Sequence, residues 1–533
     1  MLNRIRTHWT LLTLIALMGL QLWVGAIWIL TDARVGDGVC CSFTAPVLDI
    51  LLADATDQLG LPWSSYRRSM GLLVWPALWA RKLVGPDPDF LLWLNLASGV
   101  LSQVLLYDLG RRLSSPFAGL VAAGLFPMIP AVAFVQRRWD ALAPQHLVLL
   151  AALWLLIRSK NLTRPIDTGG FMLVAMAGCV LSARETDNLL FMAAIGAMTL
   201  GPVLRGLITG AGPGNAGGTA APPGRARSFL GATVVAGVMA VFCVEYAFPL
   251  VDFGYFGDEL GNQQYVQAGG RWSLAAFTAY PLRLYSDDLT PWLAVPLLLV
   301  LPAFLRRGPA KAELLGWLLL PLLALSFVGK KNFYYASVVY PVVPLLLGLG
   351  LASLEKARVR VSLGAALLLV SWLQFSARSL PTSTFPRSLG TLDWTGAVGP
   401  QQHLFQGIVP LNLAPRGPSE ISRLLQMLEP EITAESCDCP QHLVIHGQGD
   451  FSEIHLSLKM TDPCLAMSPG TRVDHPDSVG LVLTTQAVCG EETPPTSVVP
   501  LKRVLERETG PTCAQLWRRM GRRLCGTVGS PPE

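Results

Sequence analysis

TLLTLIALMGLQLWVGAIWIL, residues 10–30, runs directly into TDARVGDG, residues 31–38. The first stretch carries no charge, and as a helix it is about 30 Å long, the thickness of a bilayer's hydrocarbon core. Arg4 and Arg6 precede it, so a cleaved signal peptide is the rival reading. The run is long and no small-x-small cleavage site follows it cleanly, so we read it as a retained first span. The abrupt change to Asp32, Arg34 and Asp37 then marks where the chain leaves the membrane.

Runs of this kind recur. Candidate spans lie at 10–30, 89–109, 116–134, 141–157, 169–183, 188–204, 229–249, 291–305, 312–328, 333–351 and 361–376. The composition agrees: of 533 residues, 51% are hydrophobic and 14% charged, against about 25% charged in soluble proteins. The net charge of +5 gives no case for a nucleic-acid partner. Segment 66–84 contains GLLVWPALWA between Arg67, Arg68, Arg81 and Lys82, and reads as an interfacial helix rather than a span. Segment 45–60, with Asp49, Asp54 and Asp57 among apolar residues, reads as a second helix lying on the membrane.

Charge orders these spans. With the N-terminus inside, the inner connections carry Arg111 and Arg112, then Arg158, Lys160 and Arg164, Arg205, Arg225 and Arg227, Arg306, Arg307 and Lys311, and Lys356, Arg358 and Arg360. Every one is basic, as the positive-inside rule requires. The carboxylates collect in the outer loops, among them Asp140, Glu185, Asp187, Asp287 and Asp288. Eleven spans put the C-terminus outside. A membrane crossing at 66–84 would invert every later loop and break the rule. The expected fold is therefore an all-α polytopic membrane domain, N-in/C-out, over residues 1–376. Interfacial helices occupy its first outer loop, and a Gly/Pro/Ala linker lies on the inner side within 205–228.

Residues 377–533 form a polar tail, expected to be a small extracytoplasmic α/β domain with a helix at 418–429 and strands at 442–446 and 480–488. It carries Cys437, Cys439, Cys464, Cys489, Cys513 and Cys525. An even cysteine count in an external domain favours up to three disulfides, with the pairing left open. A metal site at Cys437, Cys439, His442 and His446 is the other reading, although the spacing fits no standard zinc pattern. Cys179 and Cys243 lie within spans and read as core residues.

Four outer clusters carry the chemistry: TDARVGDG (31–38), QRRWDALAPQH (136–146), SARETDN (182–188) and GKKNFYY (329–335). A carboxylate can take a proton from a hydroxyl nucleophile, and Arg or Lys can hold a phosphate. Each residue also has a plainer reading. Asp37 serves equally as a helix cap or solvated carboxylate, and Asp140 as an N-cap. Arg137 and Arg138 serve as interface anchors, Glu185 pairs locally with Arg184, and His146 reads as a satisfied core histidine. Lys330 and Lys331 run against the positive-inside trend, which favours a role.

The layout of residues 1–376 resembles the glycosyltransferase C superfamily, in particular its protein O-mannosyltransferase and aminoarabinose transferase branch. The resemblance rests on Asp37 after the first span, on WPALWARKLVG (75–85) followed by YDLGRRLSSPFAGLVAAGLFPMIP (107–130), on RRWDAL (137–142), and on KKNFYYASVVYPVVPLLLGLG (330–350). It implies a membrane glycosyltransferase, and the abundance of Gly, Ala, Pro and Leu points separately to a bacterial source and hence to the cytoplasmic membrane. Such an enzyme moves a sugar from a polyprenyl-phosphate donor to a glycan, lipid or protein acceptor on the outer face, with inversion. Asp37 would be the catalytic base, assisted by Asp140. Arg137, Arg138, Arg184, Lys330 and Lys331 would hold the donor phosphate, and Glu185, Tyr334 and Tyr335 would contact substrate. The outer carboxylates leave a divalent cation open as cofactor without supplying a convincing ligand set. The sequence departs from the family where Gly38 follows Asp37 in place of an acidic residue, and where SMGLLVWP (69–76) replaces a histidine-proline signature. Two other classes remain: a transporter or flippase of a lipid-linked glycan, which would place charges inside the spans, and a non-catalytic scaffold presenting the tail.

Overall fold

The computed structural model describes residues 2–30, 90–137, 142–159, 164–181, 190–199, 234, 274–327, 331–380 and 383–386, together with strand segments at 405–406, 442–447, 466–469, 479–486, 501–508 and 513–519. The helices fall in one compact unit and the strands from residue 442 onward in another.

Helix α1 (Leu2–Leu30) is followed by α2 (Phe90–Leu113) and α3 (Pro116–Leu125). Ser115 caps α3, its hydroxyl accepting from the Ala118 amide at 3.3 Å, and Pro116 takes the first helical position. A 3-10 turn (Phe126–Met128) leads into the short α4 (Pro130–Val135). Next come α5 (Leu142–Arg158), α6 (Pro165–Leu181), α7 (Leu190–Thr199) and α8 (Leu274–Arg283), the last continuing as a π-helical turn over Leu284–Asp288. The remaining helices are α9 (Pro291–Arg307), α10 (Lys311–Phe327), α11 (Val342–Ala352, entered through a 3-10 segment Phe333–Val339) and α12 (Ala357–Ser379).

Among the described residues four helices are long and apolar enough to cross a membrane: Trp9–Leu30, Leu92–Leu113, Tyr335–Ala352 and Ala357–Ser379. The pair Phe277–Asp288 and Pro291–Arg307 passes the same test together but is bent by 119°. Helices lie over the expected spans except 229–249, most of which is outside the described residues, as are the interfacial segments 45–60 and 66–84. Two expectations need correcting. The span expected at 116–134 is broken at Phe126–Ile129. The stretch Leu274–Asp288, expected as outer loop, is helical, and Asp288 is fully buried within it.

Helix α11 is the hub. All ten residues Val342–Leu351 are buried, with α3, α9, α10 and α12 packed around it. Its contact with α3 is close because Gly348 has no side chain: a Cβ there would run into the Ala118 carbonyl oxygen. Small residues that let backbones approach are the usual device for packing helices in lipid. By contrast, α1, α9, α10 and α12 expose Leu12, Ile15, Leu299, Leu320, Val361 and Leu369, as surfaces facing lipid tails do.

The bundle has a basic polar end. Asp108 accepts from Arg111, Arg112 and the Trp154 indole, the last at 2.8 Å, tying α2 to α5. Arg158 lies over the Trp154 ring at 5.0 Å and pairs with Asp167 of α6 at 3.5 Å. Arg307 pairs with Glu355 and holds that carboxyl below its ordinary range.

A parallel pair joins β1 (Lys331–Asn332) to β2 (Phe405–Gln406). In the second unit five strands form a mixed sheet of order β4-β3-β5-β7-β6 (β3 His442–Gly447, β4 Ala466–Pro469, β5 Val479–Gln486, β6 Leu501–Glu508, β7 Cys513–Arg519). Strand β3 runs parallel to β4 and β5, while β7 is antiparallel to β5 and β6. The strands expected at 442–446 and 480–488 correspond to β3 and β5, and the helix expected at 418–429 lies outside the described residues.

Gly348→Val should lower stability by about 1–3 kcal/mol through overpacking at the α3–α11 crossing. Thermal unfolding of the detergent-solubilised protein measures this, and an unchanged midpoint would contradict the close approach.

Candidate functional site

Opposite the basic end, the bundle collects polar groups in its interior. The local sequence forces one of them inward. Helix α4 is PAVAFV, buried at every position, and the chain turns at Gln136 and Arg137 immediately after it, with the Arg137 amide donating to the Phe134 carbonyl at 3.0 Å. Arg137 is therefore drawn in behind six apolar residues and is only 5% exposed. Its neighbour Gln136 fixes the turn by accepting from the Gln21 amide of α1 at 3.0 Å. The two amides meet over Gly99, where a Cβ would lie 2.6 Å from each.

The Arg137 guanidinium lies over the Trp28 indole. Trp28 is held in turn from α12: its Nε1–H donates to the Ser379 carbonyl at 3.2 Å, and the Phe375 ring sits 5.8 Å away at 49°. Among the described residues none of the three Arg137 nitrogens has a hydrogen-bond partner. Removal from water works against the guanidinium's charge and pulls its pKa well down. A buried charge is expensive unless something compensates it.

A second group surrounds the break between α8 and α9. Arg283 Nε pairs with Asp288 Oδ1 at 3.2 Å, the side chains 3% and 0% exposed. Asp288 also accepts from the Tyr340 hydroxyl. Asp287 accepts from Ser286 at 2.9 Å, and Arg378 of α12 is attracted to both Asp287 and Asp288. Thr290, in the break, has φ 62° and ψ 162° and is fully buried. That strained backbone is held by the Gln374 amide, which accepts from the Thr290 hydroxyl at 3.0 Å and donates to it at 2.9 Å. His146, fully buried, sits between the Phe126 and Tyr340 rings, 6.0 and 6.1 Å from their centroids.

The buried arginines are not alike. Arg283 and Arg378 both lie near Asp287 and Asp288, whereas no carboxylate acts on Arg137 among the described residues. Asp288 is held by Arg283 and Tyr340, and Arg137 is the buried guanidinium without a hydrogen-bond partner among the described residues. The arrangement suits an anion able to accept several hydrogen bonds.

Of the residues singled out from sequence, Arg137 and Tyr335 are described with their side chains, and both are buried. Lys331 lies in β1 opposite Phe405, and Tyr334 in the 3-10 segment before α11, which packs against α4, α5 and α10. Asp37, Arg138, Asp140, Arg184, Glu185 and Lys330 lie outside the described residues. Among the described residues no group of three or more His, Cys, Asp or Glu side chains could hold a metal ion. Sequence reasoning missed Trp28, Arg283, Asp288, Tyr340, Gln374 and Arg378. A signal was present in LRLYSDDLTPW (282–292), where Arg283 and Asp288 stand five apart among apolar residues. Few charges were expected inside the bundle, and this cluster corrects that.

Removing one partner of the buried pair leaves the other uncompensated. Asp288→Ala should therefore cost about 3–5 kcal/mol, and the double change Arg283→Met with Asp288→Leu clearly less. Thermal unfolding of both variants tests this, with equal losses speaking against a true pair.

No protein-family model and no curated protein sequence matches the chain. Solved structures do resemble it. ArnT from Cupriavidus metallidurans bound to undecaprenyl phosphate superposes with a TM-score of 0.56 at 13% sequence identity, over 97% of this chain and 99% of that one. The apo state of the same protein gives 0.54 at 12% identity, over 99% and 100%. ArnT is an aminoarabinose transferase of the glycosyltransferase C superfamily. With its long apolar helices and this end-to-end likeness, the chain is an integral membrane protein with the glycosyltransferase C fold.

Proposed function

We propose that the protein is a membrane glycosyltransferase that moves a sugar from a polyprenyl-phosphate donor to an acceptor at the extracytoplasmic face. The observation that carries this reading is the buried Arg137 guanidinium, stacked on Trp28 and without a carboxylate or hydrogen-bond partner among the described residues. A phosphate would supply the missing charge and acceptors. The fold likeness to a protein crystallised with undecaprenyl phosphate supports the same donor class.

In this reading the acceptor hydroxyl attacks the anomeric carbon from the face opposite the phosphate. Its oxygen–carbon bond forms as the bond from that carbon to the phosphate oxygen breaks, inverting the centre. Asp37 takes the hydroxyl proton, with Asp140 beside it. The polyprenyl phosphate leaves with the bonding electrons, its growing charge held by Arg137 with Arg138, Arg184, Lys330 and Lys331. Glu185, Tyr334 and Tyr335 contact the sugar. The inner-membrane location, the outward-facing tail and its disulfides belong to the same proposal.

A flippase for a lipid-linked glycan is the second reading. One observation favours it: a helix pair bent by 119° around a buried ion pair, the kind of discontinuous helix from which transporter sites are built. Transfer and transport assays on the same proteoliposomes separate the two.

Membranes containing the protein, supplied with a labelled undecaprenyl-phosphate sugar, should consume the donor. Asp37→Asn and Asp140→Asn should abolish consumption while leaving the melting temperature in place. Arg137→Ala should raise the donor KM by roughly ten- to a hundredfold, as loss of a charged hydrogen bond worth about 1.5–3 kcal/mol implies. Wild-type rates in both Asp variants would overturn the catalytic assignment.

A further inference from the structure

We propose that Trp28 is a positioning residue for the anionic donor, a neutral platform that fixes the Arg137 guanidinium while leaving its hydrogen-bonding edge and its charge to the ligand. The inference rests on the reading of Arg137 as the phosphate-binding group and adds a reason for its unusual surroundings.

A buried arginine is ordinarily kept in place by a carboxylate, as Arg283 is by Asp288. Such a partner occupies the N–H fork and cancels the charge, and both are then lost to an anion. An indole face works differently. It attracts the cation through its quadrupole, holds it flat and excludes water from one side, yet accepts none of its in-plane N–H bonds. The environments of Arg137 and Arg283 thus differ in kind. Arg283 is paired with a carboxylate, whereas Arg137 is oriented by a neutral ring with its N–H groups left unbonded among the described residues.

The platform is itself locked, which a merely space-filling tryptophan would not need. Its N–H is spent on the Ser379 carbonyl, and Phe375 packs against its ring, itself stacked on Trp372 at 5.6 Å. The same last turn of α12 supplies Gln374 to Thr290 and Arg378 to Asp287 and Asp288. Gln136, next to Arg137, is tied back to Gln21, two helical turns before Trp28 on α1. The guanidinium is therefore fixed from below by its platform and from behind by its backbone turn. One helix end, α12, sets both the platform and the paired arginine.

The test uses the full-length protein in detergent, with undecaprenyl phosphate as probe. Affinity is read from ligand-induced thermal stabilisation, and donor KM and kcat are measured in parallel. Trp28→Phe keeps an aromatic face and should bind within about threefold of wild type. Trp28→Leu fills space without a quadrupole and should weaken binding and raise donor KM by about tenfold, with kcat nearly unchanged. Trp28→Glu supplies a carboxylate and should suppress binding most, although Arg137 is still present. In an Arg137→Ala background, Trp28→Leu should add nothing further. Wild-type affinity in a stable Trp28→Leu variant would overturn the inference, as would a tenfold loss in a stable Trp28→Phe variant. If Trp28→Leu and Trp28→Glu do not fold, Trp28→Phe alone decides. Should Arg137→Ala bind undecaprenyl phosphate normally, the donor reading itself falls. If Arg137→Ala loses binding and Trp28→Leu does not, only the platform falls.

Discussion

The pairing of Arg283 with Asp288 inside the bundle sets the terms for much of what surrounds it. Either charge alone would be driven out of an apolar interior, and together they stay because they face each other at 3.2 Å and share Tyr340. Holding them there lets a polar stretch, LRLYSDDLTPW, remain helical and turn sharply into α9 instead of leaving the membrane domain as a loop. The sharp turn places Thr290 at a positive φ, and the Gln374 amide offsets that strain from the end of α12. Through α12 the same constraint reaches Phe375 and Ser379, and through them Trp28.

The two ends of the bundle use charge in opposite ways. At the basic end the arginines lie at helix C-termini, half exposed, and are met by Asp108, Asp167 or Glu355. These groups order the helices and add modestly to stability, as solvent-screened pairs do. At the other end Arg137, Arg283, Asp288 and Arg378 are buried, and Arg137 has no hydrogen-bond partner among the described residues. Water screens little there, so an anion brought to Arg137, as proposed for the donor phosphate, would have a large electrostatic effect.

Part of this was legible in the residues. The uncharged runs and their alternating flanks announced a helical membrane domain, and α2, α5, α6, α9, α10 and α12 lie close to where hydropathy placed them. Arg137 stood out because RRWD is dense in charge between two apolar runs. The missed residues share a cause. Arg283, Asp287 and Asp288 lower the hydropathy of α8 and the turn after it, because a hydropathy window treats each charge as solvated and cannot know that its partner lies five residues away. Trp28 was missed for the opposite reason, since a tryptophan at the end of a span is normally an interface anchor. Only its contacts with Ser379, 351 residues away, and with Arg137 show otherwise.

What the sequence determined by itself was the class of solvent, and it set an expectation for the direction of each crossing. Both follow from the one-body free energy of placing a side chain in lipid or water, which adds up along a run of residues. What only the tertiary structure decided was which charges stay buried and which of those are left unpaired. Those are two-body terms: Arg283 tolerates burial because of Asp288, and Arg137 has an indole and not a carboxylate for a neighbour. No sum over single residues contains that information, and the candidate site consists of it.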